Sequence, residues 1–124
     1  MENPNKHPRG LIHAWRATVI AWQGLRAAWQ HEDAFRQEVL IAAIVIPVAL
    51  LLPASLPGKA LMVASILLVL IVELLNSALE ATVDHTSLKQ HPLARRAKDI
   101  ASAAVLLSIV NALAVWVLVL FGRG

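Results

Sequence analysis

The sequence predicts an all-α integral membrane protein, with three transmembrane helices behind an N-terminal amphipathic surface helix. Three observations predict it. Hydrophobic residues fill 58% of the 124 positions, above the roughly 45–50% apolar share of soluble domains. They gather in runs over residues 39–56, 60–79 and 100–121, each long enough to cross a bilayer. Ahead of the first run, Trp15, Trp22 and Trp29 recur every seven residues and so share one face of a helix over residues 10–30. A chain this short forms one domain, residues 1–124. Cysteine is absent, which excludes disulfides and thiolate metal sites. The net charge of +3 is not organised into a basic stripe, so a nucleic acid is not an expected partner. The polar opening, Met1 to Arg9, has no apolar core behind it, and a cleaved signal peptide is not expected.

Taken in order, Met1 to Pro8 reads as a disordered tail. In the helix over 10–30, Leu11, Ile12, Val19 and Leu25 lie near the tryptophans, while Arg9, Arg16, Gln23 and Arg26 lie off that stripe. Tryptophan favours the headgroup level, so this helix is expected in the interface plane; packing of the stripe on other helices is the alternative. The charge-dense stretch Glu32 to Glu38 follows, and charge then stops for 18 residues, from Val39 to Leu56. Pro47 can kink this span and Pro53 ends it. Pro57-Gly58 reads as a turn. The second span runs from about Ala60 to Leu79, a polar loop follows from Asp84 to Arg96, and the third span covers Ile100 to Phe121. Asn111 is its strongly polar central residue, suited to an interhelical hydrogen bond.

Lys and Arg near the spans set the orientation. Lys6, Arg9, Arg16, Arg26 and Arg36 precede the first span, and Lys89, Arg95, Arg96 and Lys98 lie between the second and third, against Lys59 and Arg123 on the other side. The surface helix and the Asp84–Lys98 loop are therefore expected to face the cytoplasm.

The chemistry concentrates in the second span. Glu73, Asn76, Glu80 and Asp84 stand at offsets of three, seven and eleven residues from the first, a stripe about 80° wide on one helix face. A carboxylate at hydrocarbon depth costs roughly 2.5–3.5 kcal/mol on insertion scales, so Glu73 needs a reason. General base, proton carrier, ion ligand and structural polar contact are all open to it. Of the eight acids, all but Glu2 converge on the cytoplasmic face or in span two. Glycine loops of the GxxxxGK or GxGxxG type are missing, and so is HExxH. A phosphate group would thus be held by side chains and a metal. Mg²⁺ is often bound by one or two carboxylates plus phosphate oxygens, which Glu32 and Glu80 could supply, and Lys98 could bind phosphate as a point charge. Each rim residue can equally be a solvated surface charge.

These residues match a family. The segment Glu73-Leu-Leu-Asn76-Ser-Ala-Leu-Glu80-Ala-Thr-Val-Asp84 resembles the E-x-x-N-S/T-A-x-E-x-x-x-D segment of the bacterial integral-membrane diacylglycerol kinases. Gly24-Leu-Arg-Ala-Ala-Trp29 with Glu32-Asp-Ala-Phe-Arg-Gln-Glu38, and Arg96-Ala-Lys98-Asp99-Ile-Ala-Ser102-Ala-Ala-Val105, resemble two further stretches of that family in the same order. The likeness covers about residues 10–121. It implies a homotrimer with three transmembrane helices per subunit and active sites shared between subunits. It implies transfer of the γ-phosphoryl of ATP, with Mg²⁺ as cofactor, to a membrane diacylglycerol on the cytoplasmic side of the bacterial inner membrane.

By the same resemblance, Glu73 matches the catalytic base and Asn76 a further active-site residue. Glu32 and Glu80 match metal ligands that also contact nucleotide. Lys89, Gln90, His91, Lys98 and Asp99 match other nucleotide contacts. Arg26, Ala27, Ala28, Trp29, Ala34, Phe35, Arg36, Gln37, Glu38 and Ser102 match the lipid side, where Glu73 also meets the substrate. His13 stands at a nucleotide-contacting position where the family usually has Arg, and Ala21 stands where a relative has Ser; Arg9 or Arg16 can partly substitute for the missing guanidinium. An undecaprenol kinase of the same superfamily is the nearest alternative, and a non-catalytic membrane scaffold a more distant one. A scaffold has no need of Glu73 in lipid together with Asn76, Glu80, Lys98 and Asp99.

Overall fold

The computed structural model describes residues 10–86 and 91–122. The tail at 1–8, and Lys89 and Gln90 of the expected nucleotide loop, lie outside the described residues. Four helices follow one another: α1 (Gly10–His31), α2 (Asp33–Leu51), α3 (Leu56–Thr86) and α4 (Pro92–Phe121). Among the described residues, α2, α3 and α4 are long and apolar enough to cross a membrane. They pack as an antiparallel set around α3, which makes its most extensive contact with α4 and a smaller one with α2.

The helices outrun the apolar runs, and the reasons are local. The charged stretch after Glu32 is already helical as the first turns of α2. That helix runs through Pro47 and stops at Leu51, short of residue 56. Leu52 is extended (φ −73°, ψ 153°), as a residue before proline prefers, and Pro53 follows. Pro57-Gly58 is not a turn but part of the first turn of α3. Proline suits that position, because its missing N–H has no helical partner there. The Ser55 hydroxyl accepts a hydrogen bond from the Gly58 N–H at 3.1 Å, which opens the helix. α3 continues two turns past Leu79 to Thr86. α4 begins at Pro92 rather than Ile100, capped by His91, whose Nδ1 accepts from the Leu93 N–H at 3.1 Å.

Small residues line the seams. α2 buries Phe35, Ala42 and Ala49 at seven-residue spacing, α3 buries Gly58, Met62, Ser65, Glu73 and Ser77, and α4 buries Ala94, Ser108 and Ala112. Small side chains let helices approach closely where lipid supplies no hydrophobic drive between them. The Met62 carbonyl accepts from Trp116 Nε1 at 3.2 Å and from the Ser65 hydroxyl at 2.7 Å, tying α4 to α3. Where α3 starts, a Cβ on Gly58 would lie 2.8 Å from Val119 Cγ1 of α4. Gly58→Val is therefore expected to weaken the packing by about 1–3 kcal/mol, read as faster thermal inactivation in detergent. An unchanged inactivation rate counts against that close approach.

The outer faces stay apolar and exposed, including Leu67, Ile71 and Leu75 of α3 and Leu106, Leu107 and Leu118 of α4. Trp15 and Trp22 of α1 are also exposed, so within the chain their stripe does not pack on other helices. Asn111 lies on the outer face of α4 and, among the described residues, makes no hydrogen bond to another helix. Its expected interhelical bond is not made within one chain.

Candidate active site

Glu73 is 5% exposed, on the inner face of α3. It lies seven residues, about 10 Å, deeper than Glu80 along the helix axis. Glu38 of α2 is its neighbour across the α2–α3 seam. Glu38 Oε1 is buried and has no hydrogen-bond partner among the described residues. Below this pair, toward the middle of the spans, lies a cavity of about 430 Å³ between α2, α3 and α4. Its wall is apolar, with Ile41, Val45, Ile66, Ile109 and Trp116 among its residues, and Glu38 of α2 borders it. Of the two carboxyl groups, Glu38 borders this apolar space and Glu73 is buried next to Glu38. Such a pair can take up a proton from a hydroxyl presented to it.

Toward the rim, the stripe of α3 continues as Asn76, Glu80 and Asp84. Asn76 Nδ2 donates to Glu80 Oε2 at 3.5 Å, a long contact, and Asn76 Oδ1 is buried without a partner among the described residues. Asp84 accepts from Lys98 Nζ of α4 at 2.7 Å. Glu32 is the residue that joins α1 to α2. Its backbone is extended (φ −120°, ψ 106°), and its side chain makes no capping hydrogen bond. It borders a cavity of about 650 Å³ between α1 and α3, beside Ala27, Ala28, Ser77 and Ala81.

The model of the family described as prokaryotic diacylglycerol kinase matches residues 19–120, most of the chain. The chain belongs to that family. It is 48% identical to a diacylglycerol kinase of Pseudomonas aeruginosa over 97% of its own length and 98% of that protein's. To the diacylglycerol kinase of Escherichia coli K12 it is 42% identical over 92% of this chain and 93% of the relative. With that of Haemophilus influenzae the identity is 41%, over 90% and 95%. Membership makes the chain an enzyme, a lipid kinase of a bacterial membrane, and disposes of the scaffold reading.

The structure distributes the family's other expected positions unevenly. Arg26, Trp29 and Phe35 meet at a cavity of about 460 Å³ with Trp22, Leu25 and Val39, at the α1–α2 corner. Arg36 is engaged locally: it pairs with Asp33 and donates to the Trp29 carbonyl at 2.7 Å and the Gln30 carbonyl at 3.2 Å. This clamps the end of α1 onto α2. Ala34 and Gln37 are exposed on the first turns of α2, Ser102 is exposed on α4, and His13 is exposed on α1. Asp99 borders a shallow hollow with Arg95 and Arg96. His91 spends its Nδ1 on capping α4.

Among the described residues, no three His, Asp or Glu side chains gather into a metal-holding group. Glu32 borders its cavity together with Ser77 and Ala81, which flank Glu80 along α3. Two contacts had no signal in the sequence. Glu38 meets Glu73 across 35 residues, and Asp84 meets Lys98 across the loop; only the pitch and register of packed helices bring either pair together.

Proposed function

We propose that the protein phosphorylates membrane diacylglycerol with MgATP, giving phosphatidic acid and ADP. The observation that carries this reading is Glu73, buried on a spanning helix next to Glu38, which borders an apolar cavity within the spans. A diacylglycerol keeps its hydroxyl near the headgroup boundary while its tails stay in lipid, which suits a base on a spanning helix. Glu73 accepts the proton of the hydroxyl as its oxygen attacks the γ-phosphorus and the bond to the β–γ bridging oxygen breaks. Little covalent work is asked of the protein; positioning and charge stabilisation dominate phosphoryl transfer. Asn76, one turn from Glu73, orients the base or the hydroxyl. Glu32 and Glu80 would hold Mg²⁺, which neutralises charge on the phosphate oxygens. Lys98 adds a point charge for the phosphates.

The site faces the cytoplasm of the inner membrane in this reading, because the start of α2, the end of α3 and the start of α4 lie at one end of the set, where Lys and Arg concentrate. In this reading the protein acts as a homotrimer whose sites combine residues of neighbouring subunits. The test is an ATP assay on the purified protein in mixed micelles, comparing diacylglycerol with undecaprenol. Phosphatidic acid formation with little undecaprenyl phosphate is the expected result. The reverse preference replaces the substrate with a polyprenol while leaving the site intact.

A further inference from the structure

We infer that Asp84 is a positioning residue for the phosphoryl donor, holding the Lys98 ammonium at the rim where the nucleotide phosphates arrive. The inference rests on the reading of Lys98 as a phosphate ligand. Asp84 Oδ1 lies 2.7 Å from Lys98 Nζ, and the contact joins the last turn of α3 to the second turn of α4. Helix stability does not account for it. Asp84 stands among the terminal carbonyls of α3, whose partial negative charge disfavours a carboxylate. The two side chains are 46% and 31% exposed, and ion pairs so open to solvent add little to stability.

What the pair does achieve is placement. A lysine ammonium rides on a flexible four-carbon stem and loses rotamer freedom whenever it is fixed. Asp84 fixes it before the nucleotide binds. One of its three N–H donors is then directed at Asp84 and two remain for phosphate oxygens. Asp84 is also one turn beyond Glu80 on the same helix, about 6 Å along the axis. The pair therefore sets a cation beside the carboxylate that would hold the metal, where the charge of the phosphate tail is greatest.

The test is steady-state kinetics of the full-length protein in mixed micelles, varying MgATP and diacylglycerol separately. Asp84→Asn is expected to raise KM for MgATP about tenfold, equivalent to about 1.4 kcal/mol, and to leave KM for the lipid within about twofold. Asp84→Glu is expected to recover most of the loss. Lys98→Met is expected to raise KM for MgATP as well, and Asp84→Asn added to Lys98→Met is expected to change it no further, since coupled residues are non-additive. If Lys98→Met raises this KM and Asp84→Asn does not, or if Asp84→Asn shifts both KM values alike, Asp84 has no positioning role. If Lys98→Met leaves KM for MgATP unchanged, Lys98 is not a phosphate ligand, and the failure lies in the functional reading beneath the inference.

Discussion

Glu73→Gln is expected to lower kcat about 10²- to 10⁴-fold, the usual contribution of a positioned general base. Glutamine keeps the size and polarity of the side chain, but it cannot carry the substrate proton away. The residue is buried, so a larger change could disturb the α2–α3 seam; the isosteric amide avoids that. Membrane insertion and oligomer size in detergent are expected to stay as in the wild type. Activity close to wild type would remove Glu73 as the base and leave it a structural contact between helices.

Glu80→Ala is expected to raise the Mg²⁺ concentration needed for half-maximal rate at fixed ATP by at least about tenfold, since losing one of two protein carboxylates removes a direct charge–metal contact. Glu80 also accepts from Asn76, so alanine removes two things at once. Glu80→Gln separates them. If Glu80 holds the metal, the glutamine variant shifts the Mg²⁺ titration nearly as far as alanine, because the negative charge is gone. If Glu80 only orients Asn76, the glutamine variant titrates like the wild type.

Helix number, order and membrane character were readable in the sequence because the solvent writes them there. Spanning segments must be apolar, so the runs after Glu38, after Lys59 and after Asp99 stand out. Helix ends were harder. Polar residues continue a helix beyond the bilayer as readily as they form a loop, which is why α3 extends to Thr86 and α4 reaches back to Pro92. Pro57 shows the same ambiguity from the other side, since proline both breaks helices and begins them. Within the candidate site, the stripe of Glu73, Asn76, Glu80 and Asp84 was legible because it lies on one helix with one period. The Glu38–Glu73 and Asp84–Lys98 contacts were not, because rotation and offset between two helices depend on which small residues meet at the seam.

The joint between α1 and α2 has a mechanical consequence. A single residue, Glu32, separates the two helices, so the direction of α1 follows from the dihedral angles there. A helix of 22 residues is about 33 Å long, so a 10° change at Glu32 sweeps the far end of α1 through about 6 Å. The fulcrum of that lever is itself one of the two carboxylates assigned to the metal. Whatever lifts or presses α1 at the membrane surface, the crowding of headgroups or the thickness of the leaflet, acts with mechanical advantage on the place where Glu32 directs its side chain.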